Sequence, residues 1–204
     1  MNREDWLITI INAALLGGKE ILAVYNAEFS VETKTDNSPI TQADKNAHDA
    51  IIMALEKTKL PIISEEGEQT PYHIRKDWKQ FWMVDPLDGT KEFVNRNGEF
   101  TVNIALIEDG IPTMGVIYIP VTQTLYFADK LAYKLENFSE STFSIQTLLG
   151  KAEQLPLSKK HDNFIVLVSR SHMTEATTDY INELKNSHPD ILVHSKGSSL
   201  KLCT

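Results

Sequence analysis

Val84-Asp85-Pro86-Leu87-Asp88-Gly89-Thr90 joins the end of a predicted strand to the start of a predicted helix through a tight turn. The apolar residues 81–84 lead into Asp85, and the proline that follows fixes the backbone of the turn. Asp88 returns beside Asp85, while Gly89 allows a backbone geometry that other residues avoid. The motif therefore predicts two carboxylates at one point, where a buried strand ends.

A second predicted strand also runs into acidic residues. Residues 61–64 lead directly to Glu65 and Glu66. Carboxylates this close repel each other unless a proton or a divalent cation neutralises them, and hard oxygen ligands suit Mg²⁺. We therefore predict a Mg²⁺ site built by Glu65, Asp85 and Asp88. Two plainer interpretations stay open, because Asp, Pro and Gly are ordinary turn residues and acids at strand ends are often only solvated.

Asp44 has two interpretations as well. It lies three residues after Thr41, the expected cap of a helix, where a carboxylate favours the helix dipole. In the functional interpretation, Asp44 orients the hydroxyl of Thr90. The two side chains then position and deprotonate a water that attacks a phosphate.

Phosphate contacts are expected at the start of the helix that follows the acidic turn. The backbone N–H groups of Gly89 and Thr90 are placed to receive a phosphate. Lys34 and Lys91 are further candidates, although isolated lysines are usually solvated. Among the histidines only His172 stands out, because it follows Ser-Arg-Ser at a predicted strand end.

Hydrophobic periodicity predicts the remaining elements. Helical spacing covers residues 5–25, and a second helix is expected to follow its cap Thr41 and to end near residue 58. From Phe100 the pattern changes to alternation, with Val102, Ile104 and Leu106 on one face and a turn at residues 109–110, which predicts an antiparallel meander. Further strands are expected at residues 114–119, 124–128 and 164–169, and a third helix at residues 175–184.

The order of these elements predicts a mixed α/β sheet covered by helices. The polar stretch 139–158 is expected to separate a first unit from a short second one. Residues 197–204 are expected to begin a helix capped by Ser198 or Ser199. A helix that only begins there suggests that sequence is missing beyond Thr204.

Composition excludes several classes of function. The 204 residues are 42% hydrophobic and 24% charged, which is typical of a folded domain. A net charge of −8 argues against electrostatic binding of nucleic acid polymers by the surface as a whole. The only cysteine, Cys203, excludes an intrachain disulfide and favours a reducing compartment. We expect a cytoplasmic protein without a secretory signal or an integral membrane segment, and leave oligomeric state and peripheral contact with the inner membrane open.

Four segments carry a family resemblance. They are Ser38-Pro39-Ile40-Thr41-Gln42-Ala43-Asp44, Ile63-Ser64-Glu65-Glu66, Trp82-Met83-Val84-Asp85-Pro86-Leu87-Asp88-Gly89-Thr90-Lys91-Glu92-Phe93 and Gly197-Ser198-Ser199-Leu200-Lys201. In this order they resemble the inositol monophosphatase superfamily, and within it the bacterial 3'(2'),5'-bisphosphate nucleotidases. The resemblance implies an α/β (layered α+β) fold, the αβαβα sandwich shared with sugar phosphatases. It divides the chain into a metal- and phosphate-binding domain at residues 1–155 and an incomplete nucleotide-contacting domain at residues 156–204.

The same resemblance implies a Mg²⁺-dependent phosphatase that converts 3'-phosphoadenosine 5'-phosphate to AMP and phosphate, clears a by-product of sulfate assimilation, and is inhibited by lithium. Metal ligands are implied at Glu65, Asp85, Asp88 and the carbonyl of Leu87. Catalytic roles are implied for Asp44, Thr90 and Glu65. Contacts with a small nucleotide bisphosphate are implied at Glu65, Leu87, Asp88, Gly89, Thr90, Arg170, His172, Ser198, Ser199 and Lys201.

One departure from the family pattern bears on activity. The family completes its metal site with the aspartate of a Trp-Asp motif downstream of the Gly-Ser-Ser-Leu-Lys segment, and here Trp6, Trp78 and Trp82 are followed by other residues. An inactive nucleotide-binding form therefore stays an alternative, as does an inositol- or sugar-phosphate phosphatase. A phosphatase with an aspartate nucleophile is disfavoured, because the signature of that class spaces its aspartates two residues apart, whereas Asp85 and Asp88 are three apart.

Overall fold

The structure is a computed structural model, and it describes residues 1–27, 31–33, 39–140, 142–157 and 163–203. Its helices are α1 (Arg3–Tyr25), α2 (Gln42–Leu55), α3 (Tyr72–Arg75), α4 (Thr90–Val94), α5 (Ile145–Lys151) and α6 (Glu175–Ser187), with 3-10 turns at Glu56–Thr58 and Ser199–Leu202. These helices surround sheets that are predominantly antiparallel.

The strands form three sheets in the described residues. They are β1 (Val31–Thr33), β2 (Pro39–Thr41), β3 (Ile62–Ser64), β4 (Gln80–Asp88), β5 (Thr101–Glu108), β6 (Ile111–Ile119), β7 (Thr124–Ala128), β8 (Ala132–Leu135), β9 (Glu153–Gln154), β10 (Ile165–Ser169) and β11 (Leu192–Lys196). Strands β3 to β9 form one sheet in sequence order, in which only β3 and β4 are parallel. Strands β10 and β11 form a separate parallel pair, and β1 pairs with β2.

The predicted meander is confirmed by β5, β6 and β7. Val102, Ile104 and Leu106 are all buried on one face of β5, as the alternation requires. Asp109 and Gly110 both have positive φ, at 49° and 82°, which is the backbone of a tight two-residue hairpin turn. This hairpin supplies the middle of the large sheet.

Helices α1 and α2 cover one face of that sheet, where most of the hydrophobic core lies. Helix α1 begins two residues before its predicted start, because the Asn2 side chain accepts from the Asp5 N–H and Asp5 bonds back to the Asn2 N–H. By length and composition α1 could cross a membrane, but half of its most apolar stretch is buried within the fold. The core helix of a folded domain has the same composition.

The predicted boundaries need several corrections. Helix α2 begins at Gln42, directly after Thr41 as predicted, but it ends at Leu55 and a 3-10 turn follows. Thr41 also ends strand β2, which was not predicted. The polar stretch predicted as a boundary contains α5, capped by the Ser144 hydroxyl, and β9, and neither β8 nor β9 was predicted. All strands of the large sheet precede residue 155 and the parallel β10–β11 pair follows residue 164. The domain division itself stays a prediction.

The expected helix at the end of the chain is a short 3-10 turn in the described residues. Ser198 precedes this turn with φ of 53°, and its hydroxyl makes no capping bond. That hydroxyl instead donates to the carboxylate of Asp88 at 2.7 Å. The segment therefore contacts the acidic turn, a contact that the sequence alone did not show.

Candidate active site

Parallel pairing of β3 and β4 places Glu65 next to Asp85. Ser64 lies opposite Val84 in the register, so each strand reaches its acidic residue at the same level. The Glu65 N–H donates to the Val84 carbonyl at 3.1 Å, and the Glu65 side chain lies close enough to Asp85 to raise the pKa of Asp85. The structure thus brings together Glu65 and Asp85, two acids that the sequence singled out, although β4 continues past Asp85 to Asp88.

Asp85 is the most perturbed acid of this group. Its pKa is raised to about 8, first because burial disfavours its charge and then because of the charges of Asp88, Glu65 and Asp44. Its Oδ1 atom is buried and has no hydrogen-bond partner among the described residues. A buried carboxylate oxygen of this kind, among three other carboxylates, is the environment that a cation would stabilise.

Asp88 is brought back beside Asp85 by a bulge. The β4–β5 register shifts between the two aspartates, which absorbs the intervening residues. The Asp88 Oδ2 atom accepts from the Ser198 hydroxyl at 2.7 Å, from the Ser199 N–H at 2.5 Å and from the Thr101 hydroxyl at 3.5 Å. These bonds tie the segment before the last 3-10 turn to the acidic bend.

A divalent cation fits this donor set, although the side chains are not arranged as a finished metal site. No three His, Cys, Asp or Glu side chains in the part of the chain that the structure describes converge closely enough to hold a metal ion. The fit rests on the buried Asp85 oxygen and on the carboxylates that raise its pKa. Oxygen donors of this type suit Mg²⁺.

Gly89 and Thr90 follow the bend at the start of α4. Gly89 has φ of 92°, and a Cβ there would lie 3.1 Å from the Glu99 carbonyl oxygen and from the Ser198 Cβ. Both the conformation and the space require glycine. The Thr90 hydroxyl donates to the Leu87 carbonyl at 3.4 Å, so the implied carbonyl ligand already has a hydrogen-bond donor.

Asp44 lies in the first turn of α2 and is 1% exposed. It lies close enough to Asp85 to raise the pKa of Asp85. Its place in the first turn also fits the helix-dipole interpretation. Lys34 lies outside the described residues, as does the side chain of Thr41. The proposed pairing of Asp44 with Thr90 stays a prediction.

The candidate substrate contacts from the second unit lie near the bend, and several of them already interact with other residues of the chain. Arg170 makes a two-pronged ion pair with Glu99, with N···O distances of 2.7 and 2.8 Å. The His172 Nε2 atom lies 3.4 Å from the Lys91 Nζ, and both groups are exposed. The Lys201 ammonium donates to the Ser198 carbonyl. These side chains form one edge of the site.

Sequence reasoning missed several residues that organise the site. The buried Thr101 hydroxyl lies 2.9 Å from the Ser198 hydroxyl and 2.8 Å from the Ser199 hydroxyl. Glu99 holds Arg170, and His48 lies 2.8 Å from Ser64. Only His48 left a signal, since it follows Asp44 by one helical turn. The other contacts join residues far apart in the chain.

Comparisons with known proteins agree on one family. A sequence model of the inositol monophosphatase family matches residues 2–204. The chain is 39% identical over 191 residues to a protein of Salmonella typhimurium named 3'(2'),5'-bisphosphate nucleotidase CysQ. That alignment covers 91% of this chain and 70% of the relative.

Solved structures show the same architecture. The crystal structure of CysQ from Bacteroides thetaiotaomicron, described as a bacterial member of the inositol monophosphatase family, matches with a TM-score of 0.87 and 44% identity, over 98% of this chain and 75% of that one. The extragenic suppressor protein suhB of Bartonella henselae matches with a TM-score of 0.72 and 24% identity, over 97% of this chain and 73% of that one. The mixed sheet with its covering helices is therefore the αβαβα fold expected from the sequence.

Proposed function

This chain belongs to the inositol monophosphatase family, and we propose that it is a Mg²⁺-dependent phosphatase that hydrolyses 3'-phosphoadenosine 5'-phosphate to AMP and phosphate. The single observation that carries the metal-dependent chemistry is the crowding of Glu65, Asp88 and Asp44 around the buried carboxylate of Asp85. The substrate is proposed from the printed names of the CysQ relatives. The chain spans about 70% of the length of these relatives.

The acidic bend would hold the metal. Its ligands would be the carboxylates of Glu65, Asp85 and Asp88, with the carbonyl oxygen of Leu87. When bound, Mg²⁺ would supply positive charge that stabilises both the attacking water and the phosphoryl group. Asp88 must then share its carboxylate between this role and its hydrogen bonds with Ser198 and Ser199.

The chain's own residues perform the remaining steps. Asp44 and Thr90 orient the attacking water, and Asp44 accepts its proton through the Thr90 hydroxyl. The backbone N–H groups of Gly89 and Thr90 hold the phosphate that is cleaved. Because Gly89 has no side chain, the phosphate can approach the backbone closely.

The second unit would contact the nucleotide. His172, Ser198, Ser199 and Lys201 lie beside the acidic bend, where His172 contacts Lys91 and the two serines contact Asp88. Exposed cations at this edge suit a second phosphate group. We place the reaction in the cytoplasm, because the only cysteine is a free thiol, as is usual in a reducing compartment. There it would recycle a by-product of sulfate assimilation.

The test is phosphate release with Mg²⁺ from two substrates, 3'-phosphoadenosine 5'-phosphate and inositol 1-phosphate. The proposal expects faster turnover of the nucleotide, loss of turnover with a chelator, and solvent oxygen in the released phosphate. Faster turnover of inositol 1-phosphate would keep the chemistry but replace the substrate. Tight nucleotide binding without phosphate release at saturating Mg²⁺ would contradict the enzyme proposal for this chain.

A further inference from the structure

His48 and Ser64 form a hydrogen bond that no role described above requires. The His48 Nδ1 and the Ser64 Oγ lie 2.8 Å apart, although the residues are 16 positions apart in the chain. His48 is on α2, one helical turn after Asp44, and so lies on the same face of that helix. Ser64 is the last residue of β3. The bond therefore joins the helix that carries one acid to the strand that leads into another.

Strand β3 needs such a contact because of its place in the sheet. It has only three residues and forms one edge of the seven-stranded sheet, with β4 as its ladder partner. A short edge strand is held by few backbone bonds, so its end frays easily. The His48–Ser64 bond lies at the end of the strand from which Glu65 projects.

The turn after Ser64 continues the same arrangement. The Gly67 N–H donates to the Ser64 carbonyl at 3.2 Å, which closes a turn around Glu65 and Glu66. A Cβ at Gly67 would lie 3.4 Å from both the His48 ring and the Ser64 Cβ, so ring, strand end and turn are in contact. Fixing Ser64 therefore fixes the backbone on both sides of Glu65.

We propose that His48 is a positioning residue, which directs the Glu65 carboxylate toward Asp85 by holding the Ser64 hydroxyl. The inference rests on the proposed function, because it takes Glu65 as a ligand of the metal. A side chain that orients a metal ligand through one intermediate group contributes to metal affinity without touching the metal. Loss of His48 should then weaken Mg²⁺ binding more than it changes the chemistry at saturating Mg²⁺.

The experiment is calorimetric titration of the full chain with Mg²⁺. We expect His48→Ala and Ser64→Ala each to weaken Mg²⁺ binding about tenfold. The double variant should be no weaker than either single variant, because both remove one bond. His48→Asn should restore most of the affinity, because its amide can occupy the position of the Nδ1 atom. The matched control is His73→Ala, at an exposed histidine of α3, which should bind like the wild type.

Activity and stability separate positioning from simple packing. For His48→Ala we expect a higher Mg²⁺ concentration at half-maximal rate, with kcat at saturating Mg²⁺ within about twofold of the wild type. The midpoint of metal-free thermal unfolding should be nearly the same for His48→Asn and His48→Ala. If His48 acted only through packing, His48→Ala would unfold at a lower temperature than His48→Asn, and its loss of Mg²⁺ affinity would result from that loss of stability.

The possible failures are distinguishable. If the wild type binds no Mg²⁺, or if Asp85→Asn binds it as well as the wild type, the proposed function fails and the inference fails with it. If the wild type binds Mg²⁺ and Asp85→Asn does not, but His48→Ala and Ser64→Ala bind normally, only the inference is wrong. Additive losses in the double variant, without rescue by His48→Asn, would also overturn it.

Discussion

The two ends of the β4–β5 ladder both carry acidic residues, but the chain stabilises the charge of the acid at only one of them. At one end Gln80 lies opposite Glu108, and at the other Asp85 lies opposite Asn103 just before the bulge. Burial and neighbouring carboxylates raise the pKa of Asp85 to about 8. Hydrogen bonds lower the pKa of Glu108 to about 2. The same pair of strands thus holds one strongly stabilised anion and one strongly destabilised one.

The Glu108 end is neutralised from within the chain. Arg3 lies 2.5 Å from Glu108 and 2.6 Å from Asp129. The Glu108 carboxylate also accepts hydrogen bonds from Thr113 and Gln80. Thr113 has the largest effect on the pKa of Glu108. This end ties the first turn of α1 to three strands of the sheet. Its acids have a structural role.

At the Asp85 end every interaction that shifts the pKa of Asp85 raises it. Such an arrangement lowers the stability of the metal-free fold, so its presence is better explained by a ligand that supplies positive charge. Acids whose charge the chain stabilises have a structural role, and a buried acid whose charge it disfavours, as at Asp85, is a candidate metal ligand.

The largest expected effect is on activity. Asp85→Asn should lower kcat/KM on the order of 1000-fold, since metal stabilisation of the transition state supplies several kcal/mol. The metal-free free energy of unfolding should rise at neutral pH, because the change removes a carboxyl group whose charge the buried site disfavours. Steady-state kinetics and urea unfolding measure the two quantities. The control is Glu108→Gln at the other end, which should keep its activity, and normal turnover by Asp85→Asn would remove Asp85 from the site.

The second comparison uses two glycines with positive φ, one near each end. Gly110 has open space around its Cα, whereas a Cβ at Gly89 would press on Glu99 and Ser198. Gly110→Ala should cost about 1 kcal/mol of folding free energy for its conformation alone. Gly89→Ala should cost about 2–3 kcal/mol and also lower activity. Equal costs in urea unfolding would mean that the bend adapts to the added methyl group.

Arg3→Ala tests the structural end. We expect a loss of about 1–2 kcal/mol of folding free energy, because the side chain is partly exposed and its charge-assisted bonds are screened. Lys19, an exposed cation on the same helix, gives the matched control, since Lys19→Ala should change the free energy of unfolding by less than about 0.5 kcal/mol. kcat/KM should stay at the wild-type level in both variants. A large loss of activity in Arg3→Ala would show that the two ends are coupled.

The smallest effect is a pH dependence at the Glu108 end. Because the folded pKa lies below the usual value of 4.5, the stabilisation by Glu108 is complete above that pH and is lost as the pH falls toward 2. The stability difference between the wild type and Glu108→Gln should therefore shrink by about 1 kcal/mol between about pH 7 and about pH 3. Urea unfolding at these two pH values measures it. A constant difference would show that the carboxylate charge contributes nothing.

Local patterns predicted those parts of the fold that depend on local sequence. The alternation in β5, the turn at Asp109 and the end of β3 before Glu65 were predictable, because each follows from periodicity or from a turn motif. The predicted strand end at Asp85 was wrong, because β4 continues through a bulge to Asp88. Strands β8 and β9 were missed, because they have only four and two residues, too few for a strand pattern to show. Helix α5 was also missed, because its seven residues show no distinct apolar period.

Contacts between distant residues explain what the sequence could not show at the site. Glu99 binds Arg170 across 71 positions, and Ser198 reaches Asp88 across 110. No spacing rule identifies such partners before the fold is known. Unlike these residues, His48 could have been found from the sequence, because its spacing of four residues from Asp44 places both on one face of α2.

The most direct test of the central account is diffraction from crystals grown with Mn²⁺, which replaces Mg²⁺ at oxygen sites and gives an anomalous signal. A metal site at the acidic bend should give a manganese peak in contact with the carboxylates of Glu65 and Asp85, and this peak should disappear in Asp85→Asn crystals. A peak that persists in that variant, or manganese bound only at the Glu108 end, would contradict it.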